Sequence, residues 1–357
     1  MKWVIIALFI FLLLYSSQSS YVKGESTVYF TRDISSEAVL KIFEKISDNV
    51  IGKVAIKIHF GEERNQNYIQ PELIRKLTEK LKATLVESNV LYRSKRRFTE
   101  YHVQLAKDHG FDFAPIDILD SEGEKEIQVD LNHYKKISVG KHLDLYDNYV
   151  IISHFKGHSL AGFGGAIKNV AMGLSSIPGK MSMHASTIPV YDPARCSSCK
   201  VCTTLCPVEA ITLEPLVIDT DKCIGCGKCV GICPTYAIQV PWESTEKNVF
   251  NERLAEYAKG ISDNYNMVYI NVLVNISKDC DCDAYAHPPF MEDIGILAST
   301  DIVAIEKASL DLVNKAFNCE DTFLKVNNAS GNNQIEYAFE IGLGNKEYLI
   351  FDIDKED

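Results

Sequence analysis

Apolar positions along the chain switch between two rhythms. Residues 27–30 form a short strand-like run, after which Val39, Leu40, Ile42, Phe43 and Ile46 recur at helical spacing, and residues 54–58 return to the strand pattern. Pro71 stands where a first helical residue has no use for its N–H, and Leu73, Ile74, Leu77 and Leu81 carry the helical spacing on to a further strand over residues 84–91. Another apolar run, residues 149–152, leads into a glycine-rich turn. Beyond it, residues 267–274 read as a strand, 302–315 and 335–341 as helices, and 348–351 as a closing strand. The alternation predicts an α/β fold with a largely parallel sheet and helices on both faces.

The first residues follow neither rhythm. Residues 3–15 carry no charge or strongly polar group, with Lys2 before them and a small polar run, residues 16–20, after them. A bilayer span takes about 20 apolar residues, so the run has the length of a secretory leader. Residues 1–24 are therefore read as a signal peptide or an N-terminal anchor, and the chain as exported or membrane-tethered. A membrane is a partner only if that segment stays uncleaved.

Charge and composition narrow the function. The 357 residues carry a formal net charge of −11, and 46% are hydrophobic, which excludes a disordered chain and points to about two domains. The acidic balance argues against nucleic acid, whose backbone selects basic surfaces. The one dense basic run, residues 93–97, reads as a solvated loop, with a ligand-binding position at the carboxyl end of the preceding strand as the alternative.

Eight of the eleven cysteines lie in a segment that repeats itself. Shifting Cys196, Cys199, Cys202, Cys206, Pro207, Ala210 and Ile211 by 27 positions gives Cys223, Cys226, Cys229, Cys233, Pro234, Ala237 and Ile238. Each unit is about 16 residues, too small to bury a core, so something other than packing must hold it, and a metal can. Both read C-x2-C-x2-C-x3-C-P, in which three thiolates grip one iron–sulfur cube and the fourth reaches the other. One 4Fe–4S cluster then takes Cys196, Cys199, Cys202 and Cys233, and the second takes Cys223, Cys226, Cys229 and Cys206. A disulfide scaffold has no preference for this spacing, and zinc leaves the third cysteine of each unit unexplained. The segment resembles bacterial two-cluster ferredoxins over its whole length, which implies electron transfer with an external donor or acceptor protein. Clusters that serve only to stabilise a binding or scaffold module are the alternative.

A second motif lies upstream. In residues 153–175, Gly162, Gly164 and Gly165 follow a strand and open a helix bearing Lys168, an arrangement that aims N–H groups and a helix dipole at a small anionic ligand. The spacing fits neither a P-loop nor a dinucleotide fingerprint. His158, Lys168 and His184 are the candidate catalytic residues, with His154 and Lys156 beside them. Two cysteines among carboxylates, at residues 279–283, read as a structural turn, with a third metal site including His287 as the alternative. Cys319 reads as an ordinary buried thiol.

Residues 54–62, 153–169 and 280–313 resemble the family of uncharacterised Fe–S-centre proteins whose main domain is domain of unknown function 362, over residues 27–348. Some members lack the ferredoxin segment. The resemblance thus implies an insertion, residues 194–242, within one discontinuous α/β domain made of residues 25–193 and 243–357. His158, Gly162, Gly165 and Lys168, with His184 downstream, are also similar to the site of nickel-pincer lactate racemases. That likeness implies Lys168 as cofactor tether, His184 as nickel ligand and His158 as acid/base.

Overall fold

The computed structural model describes residues 25–213 and 215–355. Eight strands form the central sheet: β1 (Ser26–Thr31), β2 (Val54–Lys57), β3 (Thr84–Glu87), β4 (Ile116–Ile118), β5 (Asn148–His154), β6 (Asn266–Leu273), β7 (Gly295–Ser299) and β8 (Tyr348–Asp352). Their order is β8-β1-β7-β6-β5-β2-β3-β4. All neighbours are parallel except at β7, which runs antiparallel to β1 and to β6. The expected largely parallel α/β sheet is therefore present.

Strand β5 shows why the sheet must be covered twice. Every residue from Asn148 to His154 is buried, with Tyr149 and Ile151 in one apolar core and Val150 and Ile152 in the other. Helices α1 (Ser36–Glu44), α2 (Pro71–Leu81) and α3 (Thr99–Asp108) supply the second core through Val39, Phe43, Leu77 and Ala106. Helices α4 (Ala166–Gly173), α5 (Ile177–His184), α6 (Lys247–Ser262), α7 (Ile302–Ala316) and α8 (Asn332–Glu340) follow in the chain. Of these, α4, α6, α7 and α8 bury Val170, Phe250, Val303 and Ile335 in the first core. Pro71 does open α2, and Ser35 and Asp301 cap α1 and α7 by accepting the N–H of Ala38 at 3.1 Å and of Val303 at 2.9 Å.

Two boundaries differ from expectation. The strand read over residues 84–91 stops at Glu87, because the Asn89 N–H turns to the Asp120 carboxylate at 2.8 Å. The last helix starts three residues early, at Asn332. The expectation of a membrane-tethered chain is corrected: no helix among the described residues is long and apolar enough to cross a membrane. The run on which that reading rested, within residues 1–24, lies outside the described residues.

Between α5 and α6 the cysteine-rich repeat forms short elements. Val190–Tyr191 pairs with Ile238–Gln239 and Ile211–Thr212 with Val217–Ile218, while Val201–Thr204 and Lys228–Ile232 are single helical turns. The 27-residue offset survives in the backbone. Left-handed φ values occur at Ser198 and Gly225, at Lys200 and Gly227, and at Glu209 and Tyr236. Only two of those six positions hold the residue for which that conformation is free of strain, so something else fixes the loops.

Candidate functional site

Lys57, Glu87 and His154 occupy the last positions of β2, β3 and β5. From β2 the chain order proceeds outward to β3 and β4, whereas from β5 it proceeds the other way to β6. The sheet thus reverses between β2 and β5, and in an open α/β sheet ligands bind outside the carboxyl ends at such a point. A cavity of about 380 Å³ opens there.

Its floor is a buried charge network. The Arg96 guanidinium donates to both oxygens of Glu87 at 2.8 Å and contacts His59 Nε2 at 2.9 Å. Lys57 Nζ lies 3.5 Å from Glu87 and donates to Asn169 Oδ1 at 2.9 Å. Burial opposes ionisation of Glu87, but Arg96 and Lys57 together outweigh it and hold the carboxyl well below its usual range. Burial also pushes Lys57 down to about 8, Glu87 opposing and Arg96 adding to the effect. Lys180 is pushed to about 8 in the same way, with Asp120 and Glu87 opposing. Arg96 is 1% exposed, so the reading of residues 93–97 as a solvated loop is corrected. The run divides its work: Arg96 enters the cavity, whereas Arg93 and Arg97 lie over the Tyr236 ring at 4.5 and 5.8 Å.

The glycine turn is a hairpin, Lys156–His158 against Gly162–Gly164, followed by α4. The first N–H groups of that helix face the chain's own carboxylate, with Ile167 N donating to Glu306 Oε1 at 2.6 Å. A Cβ at Gly165 would stand 2.1 Å from Glu306 Oε2, and one at Gly162, where φ is 81°, 2.4 Å from Gly331 N. Gly162 and Gly165 thus pack the hairpin against its neighbours, Gly164 lies against the Lys168 side chain, and the cations rather than the helix start dominate the cavity. Burial raises the Glu306 pKa to about 7.

His158, Lys168 and His184 all line this one cavity. His158 Nδ1 accepts the N–H groups of Leu160 and Ala161 at 3.2 and 3.1 Å, which leaves the ring proton on Nε2. Burial, with Lys168 and His184 nearby, keeps this imidazole neutral at pH 7. The His184 ring packs 4.8 Å from Phe250 and from Trp242, and its buried Nδ1 has no hydrogen-bond partner among the described residues. Burial would lower the Lys168 pKa, but Cys280 and Cys282 beside it raise it, so Lys168 is an ammonium.

The turn at residues 279–283 points its thiols inward. The Asp283 N–H closes it on Cys280 O at 2.9 Å. The buried Asp281 carboxylate anchors it, 2.8 Å from His154 Nδ1 and 3.3 Å from Lys156 Nζ. Donor atoms of His158, Cys280 and Cys282 lie within 4.8 Å of one another. His287 is not among them: it pairs with Asp279 at 2.6 Å and its side chain is 61% exposed. Cys319 is half-buried rather than buried.

The cysteine-rich repeat has its own two cavities. Cys196, Cys199, Cys202 and Cys233 line one, and Cys206, Cys223, Cys226 and Cys229 line the other. No two of the eleven cysteines are bridged. Backbone N–H groups already approach the sulfurs, Ser198 N reaching Cys196 Sγ at 3.4 Å and Ala210 N reaching Cys206 Sγ at 3.2 Å. The repeat also touches the main cavity. A Cβ at Gly227 would meet Met181 and Leu91, and Leu91 is itself a wall of that cavity.

The model of the domain of unknown function DUF362 matches residues 54–311. The chain belongs to the DUF362 family. No curated protein matches it. Among solved structures, the lactate racemase apoprotein from Thermoanaerobacterium thermosaccharolyticum is similar at 16% identity with a TM-score of 0.40, over 81% of this chain and 57% of that one. A protein from Thermotoga maritima is similar at 10% identity with a TM-score of 0.41, over 80% of this chain and 59% of that one. The DUF362 chain therefore spans less than two thirds of either structure.

Sequence reasoning does not single out Lys57, Glu87 or Lys180, and it names Arg96 only within the basic run, as the alternative that places that run at a ligand-binding strand end. A lysine inside the apolar run of residues 54–58 was the available signal, since a strand covered on both faces has no place for an unpaired charge. With eleven cysteines, eight of them divided between two cavities of their own, this DUF362 protein is equipped to bind metal.

Proposed function

We propose that the protein is an iron–sulfur redox protein that moves electrons one at a time between an external protein and an anionic ligand held in the cationic cavity. What supports this reading above all is the division of eight cysteines into two cavities in the crossed sets that a duplicated C-x2-C-x2-C-x3-C-P requires. On it, residues 194–242 are a ferredoxin-like insertion. Cys196, Cys199, Cys202 and Cys233 would hold one 4Fe–4S cluster, and Cys206, Cys223, Cys226 and Cys229 the other. Such groups accept and release single electrons with little movement. The chain's own part is to fix the thiolates, to turn backbone N–H groups towards the sulfurs, and to seat the repeat on Leu91, Met181 and Arg97, whose Nη2 donates to Val230 O at 3.0 Å. Protein reduced anaerobically is expected to pass electrons to an oxidised viologen and take them up again over repeated cycles. A module with purely structural clusters does neither.

The ligand's charge class follows from Lys57, Lys168, Lys180 and Arg96 around one cavity, facing Glu87 and Asp120. Lys57 and Lys180 lose their protons near pH 8, so affinity for an anion is present below that pH and falls above it. Acetate binding followed by calorimetry is expected to weaken by about 10-fold between pH 7 and pH 9. Binding that is unchanged or stronger at pH 9 contradicts an anion site on these lysines.

One observation favours a second reading, a nickel-pincer enzyme: Lys168, His158 and His184 share the cavity. Nickel in the purified protein and an increased mass on Lys168 would support it, and an unmodified Lys168 without nickel removes it.

A further inference from the structure

Cys280 and Cys282 are not used by the eight-cysteine repeat, yet they face the main cavity and also its outer groove, where Tyr236 of the repeat is a wall. We propose that Cys280 and Cys282 are a redox-active dithiol, cycling between two thiols and an intramolecular disulfide within the cationic cavity. The inference rests on the redox reading above, but the chemistry belongs to this chain's own side chains.

Three features of the geometry carry it. The thiols stand at the first and third positions of a turn closed by Asp283 N and Cys280 O, which brings alternate side chains together, and their sulfurs lie within 4.8 Å. The turn is held from behind by Asp281 between His154 and Lys156, which fixes the backbone that carries both thiols. The Lys168 ammonium stands 3.5 Å from Cys280 Sγ, and a cation beside a thiol favours the thiolate, the form that attacks sulfur.

The same geometry weighs against the obvious competitor, a metal ion held by His158, Cys280 and Cys282. With Nδ1 taken by two backbone N–H groups, the remaining ring nitrogen of His158, Nε2, carries the proton and has no lone pair to offer. A metal ligand must offer a lone pair there instead. Lys168, and Lys156 behind Asp281, further disfavour a dication.

The step balances simply. Starting from the Cys280 thiolate and the Cys282 thiol, one S–S bond forms, two electrons leave and one proton is released to solvent. A one-electron acceptor of the ferredoxin class takes the electrons in two successive transfers. Reduction reverses this with a low-potential donor of the same class, for which dithionite with methyl viologen is the laboratory substitute.

The test uses anaerobic protein with its metal content intact. Samples poised with dithionite and methyl viologen, or treated with diamide, are quenched with N-ethylmaleimide, and the peptide containing residues 280 and 282 is weighed. Two maleimides are expected after reduction, and none after oxidation, with the mass lower by two hydrogens. Lys168→Gln should slow maleimide addition at pH 7 by about 10-fold, as expected for each unit by which the thiol pKa rises. The conservative Cys282→Ser should leave Cys280 a single thiol in both samples. Two maleimides at every poise would overturn the proposal, as would a tightly bound metal that Cys280→Ser releases. Iron and sulfide are measured on the same samples. Clusters without cycling sink the dithiol alone, and cycling without iron sinks the cluster reading alone.

Discussion

Replacing Arg96 by methionine is expected to destabilise the protein by about 3–5 kcal/mol in denaturant unfolding, the range for removing one partner of a buried ion pair. The methionine fills part of the volume, but Glu87, 3% exposed, loses two hydrogen bonds of 2.8 Å and keeps only Lys57 at 3.5 Å as a close cation. Arg96 also serves Glu62 at 3.5 Å and His59 at 2.9 Å, so the loss spreads through the cavity floor. Adding Glu87→Gln should restore part of the stability, because the stranded charge is then gone, and the double variant should lose less than the two single losses together. A domain is stable by only about 5–15 kcal/mol, so the single change consumes a large share. A loss under about 1 kcal/mol would mean that water reaches Glu87 and that the network is not the sealed floor described here.

Serine at one cysteine of each set tests the crossed arrangement. Cys233→Ser and Cys196→Ser should each remove the iron of one cavity, leaving about half of the total, and the pair combined should lose no more than either alone, because both line the same cavity. Combining Cys233→Ser with Cys206→Ser should remove essentially all iron, since those two line different cavities. If instead each run of four neighbouring cysteines held its own metal, Cys196→Ser with Cys206→Ser would be the pair that spares half the iron. Iron and sulfide analysis of the variants reads the difference directly.

How much of this was legible in the sequence depends on how local each signal is. The elements of the sheet were readable because β5 and β6 hold long apolar runs, β6 broken inside only at Asn271, and α7 keeps its periodicity for four turns. Crossed sets of cysteines followed from a spacing that ligand chemistry alone dictates. The cavity floor was not readable. Lys57, Glu87 and Arg96 are distributed over two strands and a turn, and only the parallel register of β2 with β3 and with β5 brings their ends together. The glycine turn misled in a specific way: its sequence fits an anion site, but Glu306, more than 130 residues away in the chain, already faces the N–H groups it offers. Similarly, nothing near Cys280 and Cys282 in sequence announces that their partners are Lys168 and His158 rather than the adjacent His287.

The central claim is that the twofold repeat is shaped around two iron–sulfur clusters. Anaerobic purification followed by iron and acid-labile sulfide determination, with EPR of the dithionite-reduced sample, measures this most directly. The account predicts about eight irons and eight sulfides per chain, with the spin-coupled signal of two neighbouring reduced clusters. A colourless, folded protein free of iron and sulfide, prepared without oxygen, would contradict it.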